Sequence, residues 1–190
     1  MPNELEGVRV TFLTANEGVE EAELTDPWAA LAAAGATNEL VAPEPGVVQA
    51  FRHVDRAGRY PVDRLVADVD PENVDALVLP GGVVNADRIR LDPAAVRLVR
   101  RAFERGVPVG VICHGPWILT DAGVVSERVI TSWPSLKTDL GNAGAEWVDE
   151  EVHVDGELVS SRKPADLPAF CRELVRVFAV GRAGARPPAG

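Results

Sequence analysis

Short, β-branched apolar runs alternate with helix-forming stretches along this 190-residue chain. That alternation restricts the fold more than any other feature. Residues 8–14, 38–43, 75–79 and 107–112 are apolar runs bounded by turn residues, the pattern of buried strands. Residues 20–34 are rich in alanine and leucine, carry acids in the first turn and are closed by Gly35, as a helix requires. Asp92-Pro93 opens a second helix to Arg105, with proline at the favoured first position. A short helix is expected over 115–122, a strand over 128–132, a helix over 136–142 and a last helix over 166–180. Runs 151–155 and 158–161 flank Asp155-Gly156, a hairpin signal. The polar stretch 44–63 is too long for a turn and is expected to be an irregular excursion or a hairpin. The expected fold is therefore α/β: a doubly wound, mostly parallel sheet sandwiched by helices, with an antiparallel edge hairpin. No repeat or interior linker divides it, so residues 1–180 read as one domain. Residues 181–190 lack apolar anchors and read as a disordered tail. In such sheets the ligand site lies at the carboxyl ends of the strands.

Charge and cysteine content narrow the function. Nineteen basic against 29 acidic residues give a net charge of −10, which argues against nucleic-acid polymers and anionic membranes as partners. No apolar run approaches the roughly 20 residues that span a bilayer. The polar, acidic start (Met1 to Gly7) does not read as a signal peptide, so a cytoplasmic protein is expected. Two cysteines and three histidines offer neither a disulfide framework nor a zinc cage. No Gly-x-Gly-x-x-Gly occurs, and neither cofactor nor metal is expected.

The chemistry concentrates at Val111-Ile112-Cys113-His114-Gly115, where a buried strand stops and a helix begins about two residues on. Cys113 sits on that turn, the arrangement of a nucleophile elbow. Gly115 relieves crowding there. A thiol at a helix N-terminus is expected to have a lowered pKa, although a free cysteine can equally be a small core hydrophobe. Cys171, within an amphipathic helix beside Phe170, Leu174, Val177 and Phe178, reads as core or partly exposed filler. The His114 ring cannot easily lie beside the adjacent thiol unless the turn splays it. His153 reads as solvated, and His53 as a solvated loop residue or, alternatively, the rim of the pocket. Glu20 and Glu23, three apart on one helix face, follow the first strand, and one of them is expected to hold a proton beside Cys113. Gly81 and Gly82 end the third strand at the same edge, where backbone N–H groups could form an oxyanion hole with that of His114.

These stretches resemble the PfpI family of the class I glutamine amidotransferase-like superfamily, which also holds the parkinsonism-associated deglycase. The matching segments include Ala76-Leu-Val-Leu-Pro-Gly-Gly82, Ile112-Cys-His-Gly-Pro116, Thr131-Ser-Trp-Pro-Ser135 and Ser160-Ser-Arg-Lys-Pro-Ala-Asp-Leu167. The resemblance implies a flavodoxin-like sandwich, Cys113 as nucleophile, His114 as catalytic histidine and either Glu20 or Glu23 against the thiol. It places Trp133 and Pro116 in the pocket, with Trp133 standing where some members carry tyrosine. In oligomeric members an acid from a neighbouring subunit completes a triad. Asp87 falls at that position, one methylene shorter than glutamate and in a loop one residue longer. A homo-oligomer, dimer or hexamer, is thus expected.

Three functions follow. The first is a cysteine-dependent stress-response enzyme acting on reactive carbonyls or glycated substrates, as a glyoxalase III or a deglycase. The second is an intracellular cysteine peptidase. The third is a non-enzymatic redox-sensing or chaperone-like protein. Glutamine amidotransferase activity is disfavoured, since no histidine follows His153.

Overall fold

The computed structural model describes residues 3–185. In chain order the elements are β1 (Arg9–Leu13), β2 (Glu17–Glu20), α1 (Glu21–Ala33), β3 (Thr37–Ala42), β4 (Val47–Arg52), β5 (Asp55–Pro61), β6 (Arg64–Leu65), β7 (Ala76–Leu79), α2 (Val83–Ile89), α3 (Pro93–Glu104), β8 (Val109–Ile112), α4 (Trp117–Ala122), β9 (Val129–Ile130), α5 (Lys137–Asn142), β10 (Glu146–Trp147), β11 (Val152–Asp155), β12 (Leu158–Ser161) and α6 (Leu167–Ala185). Seven strands form the main sheet in the order β11-β12-β8-β7-β1-β3-β6. Every pairing in it is parallel except β11 with β12, the hairpin at Asp155-Gly156. The doubly wound α/β sandwich with an antiparallel edge is the observed fold.

Side chains of the buried strands alternate between two cores, as the two-residue period of a strand demands. Leu13, Val41, Leu77, Leu79, Val109 and Val111 face the layer built by α3, α4 and α5, whose Leu98, Val99, Leu119 and Leu140 fill it. Val10, Phe12, Leu40, Val78, Ile112 and Val159 face α1 and α6, through Leu24, Leu31, Phe170 and Leu174. Helix α3 starts where its sequence requires. Asp92 accepts the N–H groups of Ala94 and Ala95 at 2.8 and 2.9 Å, capping two donors that the helix cannot satisfy itself.

The differences from the sequence pattern are local. The excursion over 44–63 is the hairpin β4–β5, and β2 joins it in parallel to make a small three-stranded sheet. Glu20 therefore ends a strand rather than opening α1. Four residues with Gly18 at φ +99 are too short and irregular to read as a strand. Helix α2 was also not apparent, because it buries only Asn85, Ala86 and Ile89 and exposes the apolar Val83 and Val84. Expected strand 128–132 shrinks to β9, which pairs with β10 outside the main sheet. Helix α6 continues to Ala185, past residue 180 and into the segment read as a tail. Residues 186–190 of that segment lie outside the described residues.

Candidate active site

Neighbouring strands β1, β7 and β8 deliver their carboxyl ends to one edge of the sheet. Just past β8, Cys113 takes φ +60, a left-handed conformation that non-glycine residues adopt at a cost of about 1–3 kcal/mol. Its neighbours hold it there. The Cys113 N–H donates to Ser161 O at 3.1 Å, its carbonyl accepts the Trp133 N–H at 2.9 Å, and the Gly115 N–H donates to Ile112 O at 2.8 Å. A Cβ on Gly115 would collide with Leu79 O, so the backbone passes there only as glycine. The side chain is 7% exposed.

Glu23, on α1, is the acid beside this thiol. It is fully buried, and Oε2 accepts the Gly81 N–H at 2.8 Å. Oε1 has no hydrogen-bond partner within the described residues. Burial raises the Glu23 carboxyl from 4.5 to about 8, against the Cys113 and Gly81 hydrogen bonds that lower it. At neutral pH the carboxyl therefore carries a proton. Gly81 is the joint of this arrangement, since a Cβ there would stand 2.6 Å from the Cys113 Cβ and against the Glu23 carboxyl. Glu20, the alternative acid, turns away: its Oε2 accepts the His53 N–H at 3.0 Å.

The thiol itself departs from expectation. Burial first, and the Glu23 charge second, push the Cys113 pKa up, while the amides of Gly82 and His114 pull it down. Helix α4 begins only at Trp117, four residues on, so its N-terminal end is too far away to offset desolvation. The resting sulfur is a protonated thiol among donors placed for a thiolate.

His114 does reach the adjacent thiol. With Cys113 in its left-handed conformation, Nδ1 lies 3.2 Å from Sγ. Nε2 lies 3.4 Å from Ser135 Oγ, and the ring stacks on Trp133 with centroids 6.0 Å apart. Burial lowers the His114 pKa, favouring the neutral ring. Trp133 also lines an open groove of about 660 Å³ with Glu20, Arg52, His53 and Lys163.

Of the residues singled out from sequence, the fold gathers Cys113, His114, Glu23, Gly81, Gly82 and Trp133. Pro116 is buried behind the elbow at the start of α4. Asp87 is exposed on α2. Cys171 is half-buried on α6, its thiol raised to about 11 chiefly by burial. His153 pairs with Glu150 in the edge hairpin.

Two residues of the site escaped the sequence reading. Asn85, 1% exposed, accepts the Ala15 N–H at 2.7 Å and donates to Pro80 O and Gly81 O at 3.0 and 2.9 Å, stapling the Gly81-Gly82 loop to the end of β1. Ser135 is the other. Asparagine within a run after Gly-Gly, and serine after Trp-Pro, were the signals available. Among the described residues no group of three or more His, Cys, Asp or Glu side chains is arranged to hold a metal ion. No described helix is long and apolar enough to cross a membrane.

A family model described as the DJ-1/PfpI family matches residues 8–177. The chain belongs to the DJ-1/PfpI family. It is 46% identical over 171 residues to Deglycase PH1704 of Pyrococcus horikoshii, covering 90% of this chain and 99% of that one. It is 38% identical over 171 residues to Protein/nucleic acid deglycase 2 of Escherichia coli, covering 90% and 97%. Among solved structures, Drosophila melanogaster DJ-1beta matches with a TM-score of 0.80 at 26% identity, covering 93% of this chain and 96% of that one.

Proposed function

We propose that this DJ-1/PfpI family member is a cysteine-dependent, stress-response deglycase acting on reactive carbonyls and their early adducts with amines. The observation that carries the reading is the trio at the elbow: Cys113 in a left-handed conformation, His114 Nδ1 at 3.2 Å from its sulfur, and a buried, protonated Glu23 beside it. Deglycase names on relatives that align along most of the chain agree with it.

In the proposed reaction the Cys113 proton passes to His114 as sulfur attacks the former aldehyde carbon of a hemiaminal. The C–N bond breaks and the amine leaves with a proton, giving a hemithioacetal. Free methylglyoxal reaches the same species by direct addition. Moving the C1 hydrogen of that species to C2, through a base and then an acid, yields a thioester. Water then cleaves the thioester to lactate and restores the thiol. The oxidation of C1 is balanced by reduction of C2, so no external electron acceptor is required. The amides of Gly82 and His114, which face the sulfur, are suited to the oxyanion on the carbon that the sulfur attacks. Glu23, protonated near neutrality, supplies the acid.

The test is recovery of free amine from a methylglyoxal adduct of an acetylated lysine or arginine. Wild-type protein should release it, and Cys113→Ala should not exceed the uncatalysed rate. Equal release by both overturns the reading.

A redox role is favoured as a second reading by Glu23 Oε1, a buried oxygen without a partner among the described residues, on the acid that bonds Cys113. Mild peroxide should add about 32 Da, a sulfinate, to Cys113 before Cys171; the reverse order would contradict it. Cytoplasmic residence and homo-oligomerisation belong to the same proposal. Val83 and Val84 on α2 and Leu91 after it are 55%, 43% and 75% exposed, apolar surface that a second copy could cover. Sedimentation of the purified chain checks this, and a monomer at micromolar concentration would contradict it.

A further inference from the structure

His114 has a partner that the reaction above leaves unused. We infer that Ser135 is a positioning residue that holds the neutral His114 ring in its Nε2–H tautomer, with the Nδ1 lone pair turned to the Cys113 thiol. This rests on the reading of Cys113 as the nucleophile.

Three contacts tie the segment carrying Ser135 to the elbow. The Trp133 N–H donates to the Cys113 carbonyl at 2.9 Å, the Trp133 ring stacks on His114, and Ser135 Oγ stands 3.4 Å from Nε2. Pro134–Leu136 form a 3-10 turn, closed by the Leu136 N–H on the Trp133 carbonyl, which fixes where Ser135 points. The segment thus moves with the nucleophile rather than independently of it.

The tautomer follows from donor and acceptor accounting. A protonated thiol donates, so Nδ1 at 3.2 Å accepts, and the ring proton sits on Nε2. That N–H then donates to Ser135 Oγ, whose own hydroxyl hydrogen is left to solvent at this exposed position. A hydroxyl carries no charge, so it orients the ring without stabilising the imidazolium, as a carboxylate in its place would. A proton received from Cys113 is consequently held weakly and passes on to the leaving amine.

The surroundings of the ring agree. Cys113 and Glu23 lie on its elbow side and Trp133 on its face. Glu20 and Lys163 share the groove with Trp133, and the Lys137 ammonium stands over the Trp147 ring at 5.2 Å. None of these charges shifts His114, whose lowered pKa has burial as its cause.

The test combines NMR of the ring nitrogens in the full-length protein, 15N-labelled at its three histidines, with steady-state kinetics on the methylglyoxal–lysine adduct. Wild type should show His114 neutral and Nε2-protonated at pH 7. Ser135→Ala should lose that single tautomer and lower kcat about tenfold, with KM within about twofold. Ser135→Thr should restore both. Ser135→Asp should raise the pH at which His114 titrates and move the acidic limb of kcat/KM upward with it. An unchanged tautomer in Ser135→Ala, with or without lower activity, overturns the proposal, as does an unmoved pH profile in Ser135→Asp. The NMR readout needs no turnover, so it stands apart from the fate of Cys113→Ala, whose retained activity would sink the nucleophile assignment instead.

Discussion

The Gly81 amide donates to Glu23 Oε2 at 2.8 Å, joining the loop that carries the site's backbone donors to its buried acid. The same glycine leaves room for the Cys113 Cβ. Acid, loop and nucleophile are therefore one mechanical unit, and a change at the joint disturbs all three.

Gly81→Ala tests this unit. The new methyl would meet the Cys113 Cβ at 2.6 Å with the Glu23 carboxyl on its other side, and neither can withdraw from the core. Overpacking of this kind costs about 1–3 kcal/mol. Urea denaturation should show that loss, and activity should fall by at least about tenfold through displacement of the sulfur. Activity equal to wild type would mean that the joint is slack.

Glu23 makes stability depend on pH in a defined direction. Its folded pKa of about 8 lies above the ordinary 4.5, so between these values the folded state binds the proton that the unfolded chain has released. Stability therefore falls as pH rises through this window. Below pH 6.5, His114, lowered by burial, acts in the opposite sense, so the clean interval runs from 6.5 to 8. There wild type should lose about 2 kcal/mol, and Glu23→Gln should show a flatter curve and greater relative stability at the alkaline end. Denaturant midpoints at several pH values measure it. Parallel curves for the two proteins would contradict the buried, protonated acid.

Asn85→Ala should destabilise by about 2–4 kcal/mol, because it strands the buried Ala15 N–H and frees the carbonyls of Pro80 and Gly81. Asn85→Asp keeps the acceptor for Ala15 but buries a carboxylate against those carbonyls, and should be worse at neutral pH. Thermal unfolding ranks the three proteins, and Asp ranking above Ala would contradict the role of the donated hydrogen bonds.

The two candidate glutamates separate by activity. Glu20→Gln should keep turnover within about twofold, since Glu20 bonds the His53 amide rather than the sulfur. Glu23→Gln should lower kcat by about a hundredfold through loss of the acid. The opposite ranking would return the catalytic role to Glu20.

The sequence carried the frame of this site but not its details, and the divide has a physical basis. The strand-Cys-His-Gly turn is local, as is the alternation of apolar runs with helix-forming stretches, so both were legible. Glu20 and Glu23 could not be separated because β2, at four residues, leaves no periodic signature. Its pairing with β4 decides that α1 starts at Glu21 and that Glu23 turns inward. The Ala15–Asn85 and His114–Ser135 contacts join residues 70 and 21 apart, which no local pattern encodes. The thiol's pKa was misread because desolvation is a property of the assembled fold, and because α4 begins at Trp117 rather than beside Cys113.

The central claim is that the Cys113 sulfur performs carbonyl chemistry without a cofactor. Its most direct test is incubation of purified protein with methylglyoxal in the absence of any added thiol, following lactate. The account predicts steady lactate formation by wild type and none above background by Cys113→Ala, with Cys171→Ala indistinguishable from wild type. Lactate formed at the same rate by Cys113→Ala, or by none of the three proteins, would contradict it.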